Sequence, residues 1–157
     1  MSRTFKLTIA YDGTDFAGWQ VQPGKNTIQG TIQSAFGQIS EQPVQVIGSG
    51  RTVSGVHAIA QVASCSLRWR DTADRLARAL NANLPDTIAV LAAIDVPDHF
   101  HAIRDAKGKR YRYQLQVGGV RDVFQFRYRW HLNADLDVDS MRLAARHLVG
   151  RHEFASF

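Results

Sequence analysis

Phe5, Leu7, Ile9 and Tyr11 alternate with Thr4, Lys6, Thr8 and Ala10, so residues 4–11 predict a strand with one buried face. Asp12-Gly13 and Gly18 break the alternation and leave Phe16 and Trp19 in a loop. Asn26 with Gln29 three residues later marks a helix start, and Ile28, Ile32, Ala35, Phe36 and Ile39 share one helical face up to about Ser40. Residues 44–47 predict a short strand and residues 57–67 a longer one. Asp71 caps a second helix, with Ala73, Leu76, Ala77 and Leu80 inward, which Pro85 ends. Residues 87–96 are short and almost wholly apolar, which predicts a strand covered on both faces.

That order, β-α-β-β-α-β by residue 96, predicts an α+β fold of the ferredoxin-like or RRM-like split β-α-β kind, mostly antiparallel with helices on one face. Residues 109–117 alternate as a further strand, with 126–132 as its partner. Residues 138–149 predict a last helix with Met141, Ala144, Ala145 and Leu148 on one side. With no linker or repeat in view, residues 1–157 read as a single domain. No apolar run approaches the ~18 residues that would span a bilayer, and no membrane association is expected. The single cysteine, Cys65, excludes an internal disulfide and suits a reducing cytosol.

Charge changes the picture more than composition does. Residues 101–131 hold eight Lys/Arg (Arg104, Lys107, Lys109, Arg110, Arg112, Arg121, Arg127, Arg129) against Asp105 and Asp122, a net of +6 where the whole chain carries +5. The same segment holds Tyr111, Tyr113, Phe124, Phe126, Tyr128 and Trp130. Cations interleaved with rings suit a nucleic acid, the charges for phosphates and the rings for unstacked bases; a solvated basic hairpin has the same composition.

Residues 48–58, G-S-G-R-T-V-S-G-V-H-A, put three glycines in eight residues around an arginine and three hydroxyls. A Gly-rich turn between two strands accounts for this spacing as well as a functional loop does. His57 reads as a hydrogen-bonder at a strand start. His99 with His101, and His147 with His152, lack the cysteine pair or acidic cluster that a zinc site needs. Ser49, Thr52 and Ser54 lack the G-x-S-x-G frame of a hydrolase, and the loop lacks the G-K-[ST] ending of a P-loop.

The loop closely resembles the signature G-R-T-D-A-G-V-H-A of the tRNA pseudouridine synthase A family, matching at Gly50, Arg51, Thr52, Gly55, Val56, His57 and Ala58. Further similarities are Y-D-G-T-x-F-x-G-W-Q at 11–20, N-A-N-L-P at 81–85, F-H-A at 100–102, K-R-Y-R-Y at 109–113 and E-F-x-S-F at 153–157. The resemblance implies the N-terminal half of a pseudouridine synthase fold, with the second half absent. It implies a cytoplasmic enzyme, usually a homodimer, that converts uridine to pseudouridine in the anticodon arm of tRNA without metal or cofactor. It implies three site positions: Val53 where the family carries its nucleophilic aspartate, Arg51 as the arginine that keeps that carboxylate ionised, and Tyr111 as the ring that stacks on the uracil. Arg104, Lys107, Lys109, Arg110 and Arg112 are the expected RNA contacts, and Ile103 stands where the family usually has an arginine. With valine at position 53, either an impaired synthase or a non-catalytic tRNA-binding module is expected. Asp12 and Asp15 are the nearest carboxylates that could substitute.

Overall fold

A computed structural model describes residues 2–155, which fall into two compact units divided between residues 109 and 110, and the last two positions of the E-F-x-S-F motif lie outside the described residues. In the first unit the elements are β1 (Arg3–Tyr11), α1 (Ile28–Gly37), β2 (Ile47–Gly48), β3 (Ala58–Leu67), α2 (Ala73–Asn81) and β4 (Ile88–Val96). The sheet order is β2-β3-β1-β4, and every neighbouring pair is antiparallel. β3 therefore lies between β1 and β2, and β1 between β3 and β4. That is the expected α+β arrangement of two interleaved split β-α-β units.

The period-2 pattern of β1 sends Phe5, Leu7 and Ile9 into the core, all fully buried, against Ile28, Ile32 and Phe36 of α1 and Leu76 and Leu80 of α2. Each such side chain contributes roughly 1.5–3 kcal/mol by leaving water. The helices begin one residue later than the sequence suggests. The Thr27 hydroxyl, not Asn26, accepts from the Gly30 amide, and the Thr72 hydroxyl, not Asp71, accepts from the Arg75 amide. Asp71 supports that cap from outside by accepting from the Thr72 amide and pairing with Arg75; both bonds hold its carboxyl below the usual range, the Thr72 amide most.

β4 corrects one expectation. It is an edge strand with helices on one side only, so Leu91 (58% exposed) and Ile94 face outward instead of being covered on both faces. Its pairing with β1 slips between Thr8 and Ile9, and beside the slip the Asn81 amide takes both backbone groups of Val90, at 2.9 and 2.7 Å. The short second strand is Ile47–Gly48, later than the expected 44–47. After β4, residues 97–104 cross the other face of the sheet, where the Ala102 amide donates to Ser64 Oγ.

The second unit contains β5 (Leu115–Val117), β6 (Trp130–Leu132), α3 (Val138–Ala145) and a 3-10 turn, Arg146–Leu148. Both strands are shorter than the alternation suggests, and they pair in parallel. α3 also stops early, passing into the tighter turn at Arg146. No residue from 110 to 155 is buried, so packing does not extend these elements to their propensity limits.

Candidate functional site

The loop between β2 and β3 is fixed by its own backbone and by the segment after β1. Val53 to Val56 form a turn closed by the Val56 amide on the Val53 carbonyl, with Gly55 at φ 75° in the third position, where an L side chain would be strained. The residue 11–20 segment clasps this turn. The Trp19 amide donates to the Thr52 carbonyl at 3.0 Å, the Tyr11 hydroxyl meets Thr52 Oγ1 at 2.9 Å, and Ser54 Oγ donates to the Phe16 carbonyl. Gly13 and Gly18 let the two backbones touch. A Cβ on Gly13 would overlap the Val56 carbonyl, and one on Gly18 would sit 2.6 Å from the Thr52 oxygen. On the other side Gln61 accepts from Ser49 Oγ and donates to the Gly50 carbonyl, both at 2.8 Å.

Held this way, the loop presents Arg51 and Val53 outward. Val53 is 72% exposed, and Arg51 is exposed and makes no side-chain hydrogen bond or ion pair among the described residues. Arg51 also lines a cleft of about 240 Å³ with Trp19, Gln20, Gln29, Gln45, Ile47, Gly48, His101 and Ile103. The Lys109 ammonium lies close by; a methyl built on Gly50 would be 3.5 Å from its Nζ. Arg104 and Lys107 are exposed on the segment after β4. Arg110, Tyr111 and Arg112 open the second unit, all exposed.

Of the remaining candidates, Asp12 and His57 hold the loop, whereas the exposed Asp15 carboxylate makes no hydrogen bond or ion pair among the described residues. Asp12 Oδ1 accepts from the Thr14 amide and hydroxyl and lies 3.0 Å from His57 Nδ1. His57 Nδ1 is also 3.1 Å from the Gly13 amide, and it can serve only one of the two at a time, as donor to Asp12 or acceptor from Gly13. His57 is thus a bracket between the first loop and β3. The hydroxyls of Ser49, Thr52 and Ser54 are likewise engaged. The sequence reading missed Gln61 and the clasp made by Gly13 and Gly18. The glycines of the 11–20 motif were the available signal, since two close backbone approaches need two residues without Cβ.

The sequence model of a family described as tRNA pseudouridine synthase matches residues 7–104. Among curated proteins, a tRNA pseudouridine synthase A of Brevibacillus brevis is 43% identical over 99% of this chain and 64% of its own length. That of Moorella thermoacetica is 46% identical over 97% of this chain and 63% of its own, and that of Halalkalibacterium halodurans 45% over 96% and 58%. The chain belongs to the tRNA pseudouridine synthase family. It spans about three fifths of the length of these relatives. The family match ends at residue 104, inside the first unit, so it takes in both the Arg51 loop and the 11–20 segment that clasps it. No helix among the described residues is long and apolar enough to cross a membrane.

Proposed function

We propose that this chain is a pseudouridine synthase domain, cytoplasmic and directed at the anticodon arm of tRNA, whose isomerase chemistry is disabled at position 53. Making pseudouridine breaks the bond from N1 of uracil to C1′, turns the base and rejoins it through C5. The family resemblance assigns the covalent part of that work to a carboxylate. A valine side chain has no lone pair to form an adduct and no proton to move. The observation that carries the reading is the pairing of an exposed Val53 with an Arg51 that has no acid to hold ionised. Asp12 is a poor substitute because its Oδ1 already anchors the 12–14 turn, and a displacement of about 1 Å can cost a hundredfold in rate. Arg51, Tyr111 and the cations at 104, 107, 109, 110 and 112 then serve to grip RNA, in a homodimer without metal or cofactor.

Tritium release from C5-labelled uridine in tRNA tests this. The chain as written should release none above background, and Val53→Asp should restore release; turnover by the unaltered chain would overturn the reading. A second reading, an RNA-binding module that has lost catalysis for good, is favoured by the unengaged Arg51 lining the cleft and by the Lys109 ammonium close to Gly50. In that case tRNA binding would persist and weaken steeply with salt, while Val53→Asp would stay silent.

A further inference from the structure

In the second unit, β5 and β6 are bridged by a loop that its own side chains hold in place. Gly118 and Gly119, at φ 64° and 65°, turn the chain directly after β5. Gln116 then spans the loop, donating to the Val120 carbonyl at 2.8 Å and accepting from the Asp122 amide at 3.0 Å. Asp122 Oδ1 accepts from the Phe124 amide, and the Gln125 carbonyl accepts from the amides of both Tyr128 and Arg129. The backbone that carries the aromatic residues is therefore fixed, yet the rings point outward: Phe124 is 87% exposed, Trp130 66% and Phe126 56%. Several exposed rings close together in sequence on an ordered segment mark a binding face.

The charge around these rings selects the partner. Arg110, Arg112, Arg121 and Arg129 make no ion pair among the described residues, and Asp122, the only acid between 110 and 132, is occupied by backbone. The Arg127 guanidinium lies over the Phe126 ring at 5.9 Å, which adds a cation to the aromatic surface. An apolar protein surface would cover the rings but leave four arginines uncompensated. A polyanion with unpaired flat bases meets both requirements, and a duplex, whose bases are hidden, meets only one.

We propose that residues 112–130 form a stacking platform for single-stranded RNA, with Phe124, Phe126 and Trp130 receiving bases and Arg112, Arg121 and Arg129 receiving phosphates. It shares no residue with the 48–58 loop and rests on the reading above only in taking RNA as the partner. The test is fluorescence anisotropy of the whole chain with a labelled 12-nucleotide oligouridylate and with a 12-base-pair RNA duplex, alongside tryptophan emission. The single strand should bind at least tenfold more tightly than the duplex. F124A and F126A should each weaken it about tenfold with unchanged circular dichroism, and the emission quenched by the oligonucleotide should be lost in W130F. Equal affinity for strand and duplex, or unchanged affinity in F124A and F126A, would overturn the platform and leave charge alone. A concentration-dependent dimer dispersed by F124A would overturn it in favour of self-association. If R51A abolishes oligouridylate binding while F124A does not, the platform is wrong and the RNA reading stands. If neither oligouridylate nor tRNA binds, both fail.

Discussion

Replacing Gly18 with alanine tests whether the 11–20 segment holds the Arg51 loop in place. Two costs are expected. Gly18 has φ 99°, and an L-residue there is strained by roughly 1–2 kcal/mol. Its new Cβ would also stand 2.6 Å from the Thr52 carbonyl oxygen and 3.1 Å from the Val53 carbonyl carbon, both backbone, so the loop must move away. That movement breaks the bond from the Trp19 amide to the Thr52 carbonyl, and Trp19 is 1% exposed, so its amide is left without water, at about 1–3 kcal/mol. The sum is about 2–5 kcal/mol. Two other glycines separate the contributions. Gly24 has φ 68° with nothing within 4 Å of a Cβ, so Gly24→Ala should show the backbone strain alone, about 1–2 kcal/mol. Gly37 ends α1 with open space and no positive φ, so Gly37→Ala should stabilise by about 0.4–1 kcal/mol. Urea unfolding followed by tryptophan emission reads all three. If Gly18→Ala falls no further than Gly24→Ala, the contact with Thr52 does not position the loop and the clasp is misread.

Three further outcomes follow from single contacts. Gln29→Leu removes a buried amide that donates to the Val46 carbonyl at 2.7 Å and accepts from the Val21 amide at 2.9 Å; a loss of about 2–4 kcal/mol in urea unfolding is expected, and less than 1 would mean water replaces it. Burial pushes the Cys65 thiol up to about 12, above its unfolded value, so its contribution to stability is full below about pH 9 and is lost as pH rises toward 12. Native chain should resist a thiol reagent at pH 8 until urea is added, and the unfolding midpoint of the parent should fall more between pH 8 and 10.5 than that of Cys65→Ala. The Asp137 carboxyl, held low first by the Ser140 hydroxyl and then by its amide, caps α3 above the ordinary carboxylate range. The cap should therefore be lost as pH falls through that lowered value, visible as a shift of the Ser140 amide resonance and absent in Asp137→Ala.

The first unit was legible because its signals were local and agreed with one another. The alternation of β1, the 3.6-residue face of α1 and the glycines of the loop each needed only near neighbours in sequence. What escaped depended on topology. Leu91 and Ile94 read as doubly covered because an apolar run does not say whether its strand lies at the edge, and β4 does. Asn81 stood out only as the first residue of the N-A-N-L-P motif, whereas it binds Val90 nine residues away beside a register slip. Gln61 gave no warning at all; a single polar residue on a strand becomes a loop clamp only when β2 and β3 pair. Arg51 and Val53 were singled out by motif, and the geometry shows both exposed on the loop. Every other polar group of the loop is turned inward to hold it.

That division of labour bears on what position 53 can tolerate. Thr52 and Val53 are neighbours with opposite duties. The hydroxyl and carbonyl of Thr52 are both spent on the 11–20 segment, so the fold constrains that residue tightly. The Val53 side chain is mostly in solvent; only its carbonyl is used, by the Val56 amide, and any L-residue supplies a carbonyl. Substitution at an exposed side chain of this kind moves stability by about 0.5 kcal/mol or less. The loop therefore keeps its shape whether position 53 holds a carbon branch or a carboxylate, and Val53→Asp would place its new oxygens two residues from Arg51 without rebuilding the scaffold. A gain or absence of turnover in that variant consequently reports on chemistry and not on folding. The same independence explains how a chain in this family can carry valine there with the loop and its clasp intact.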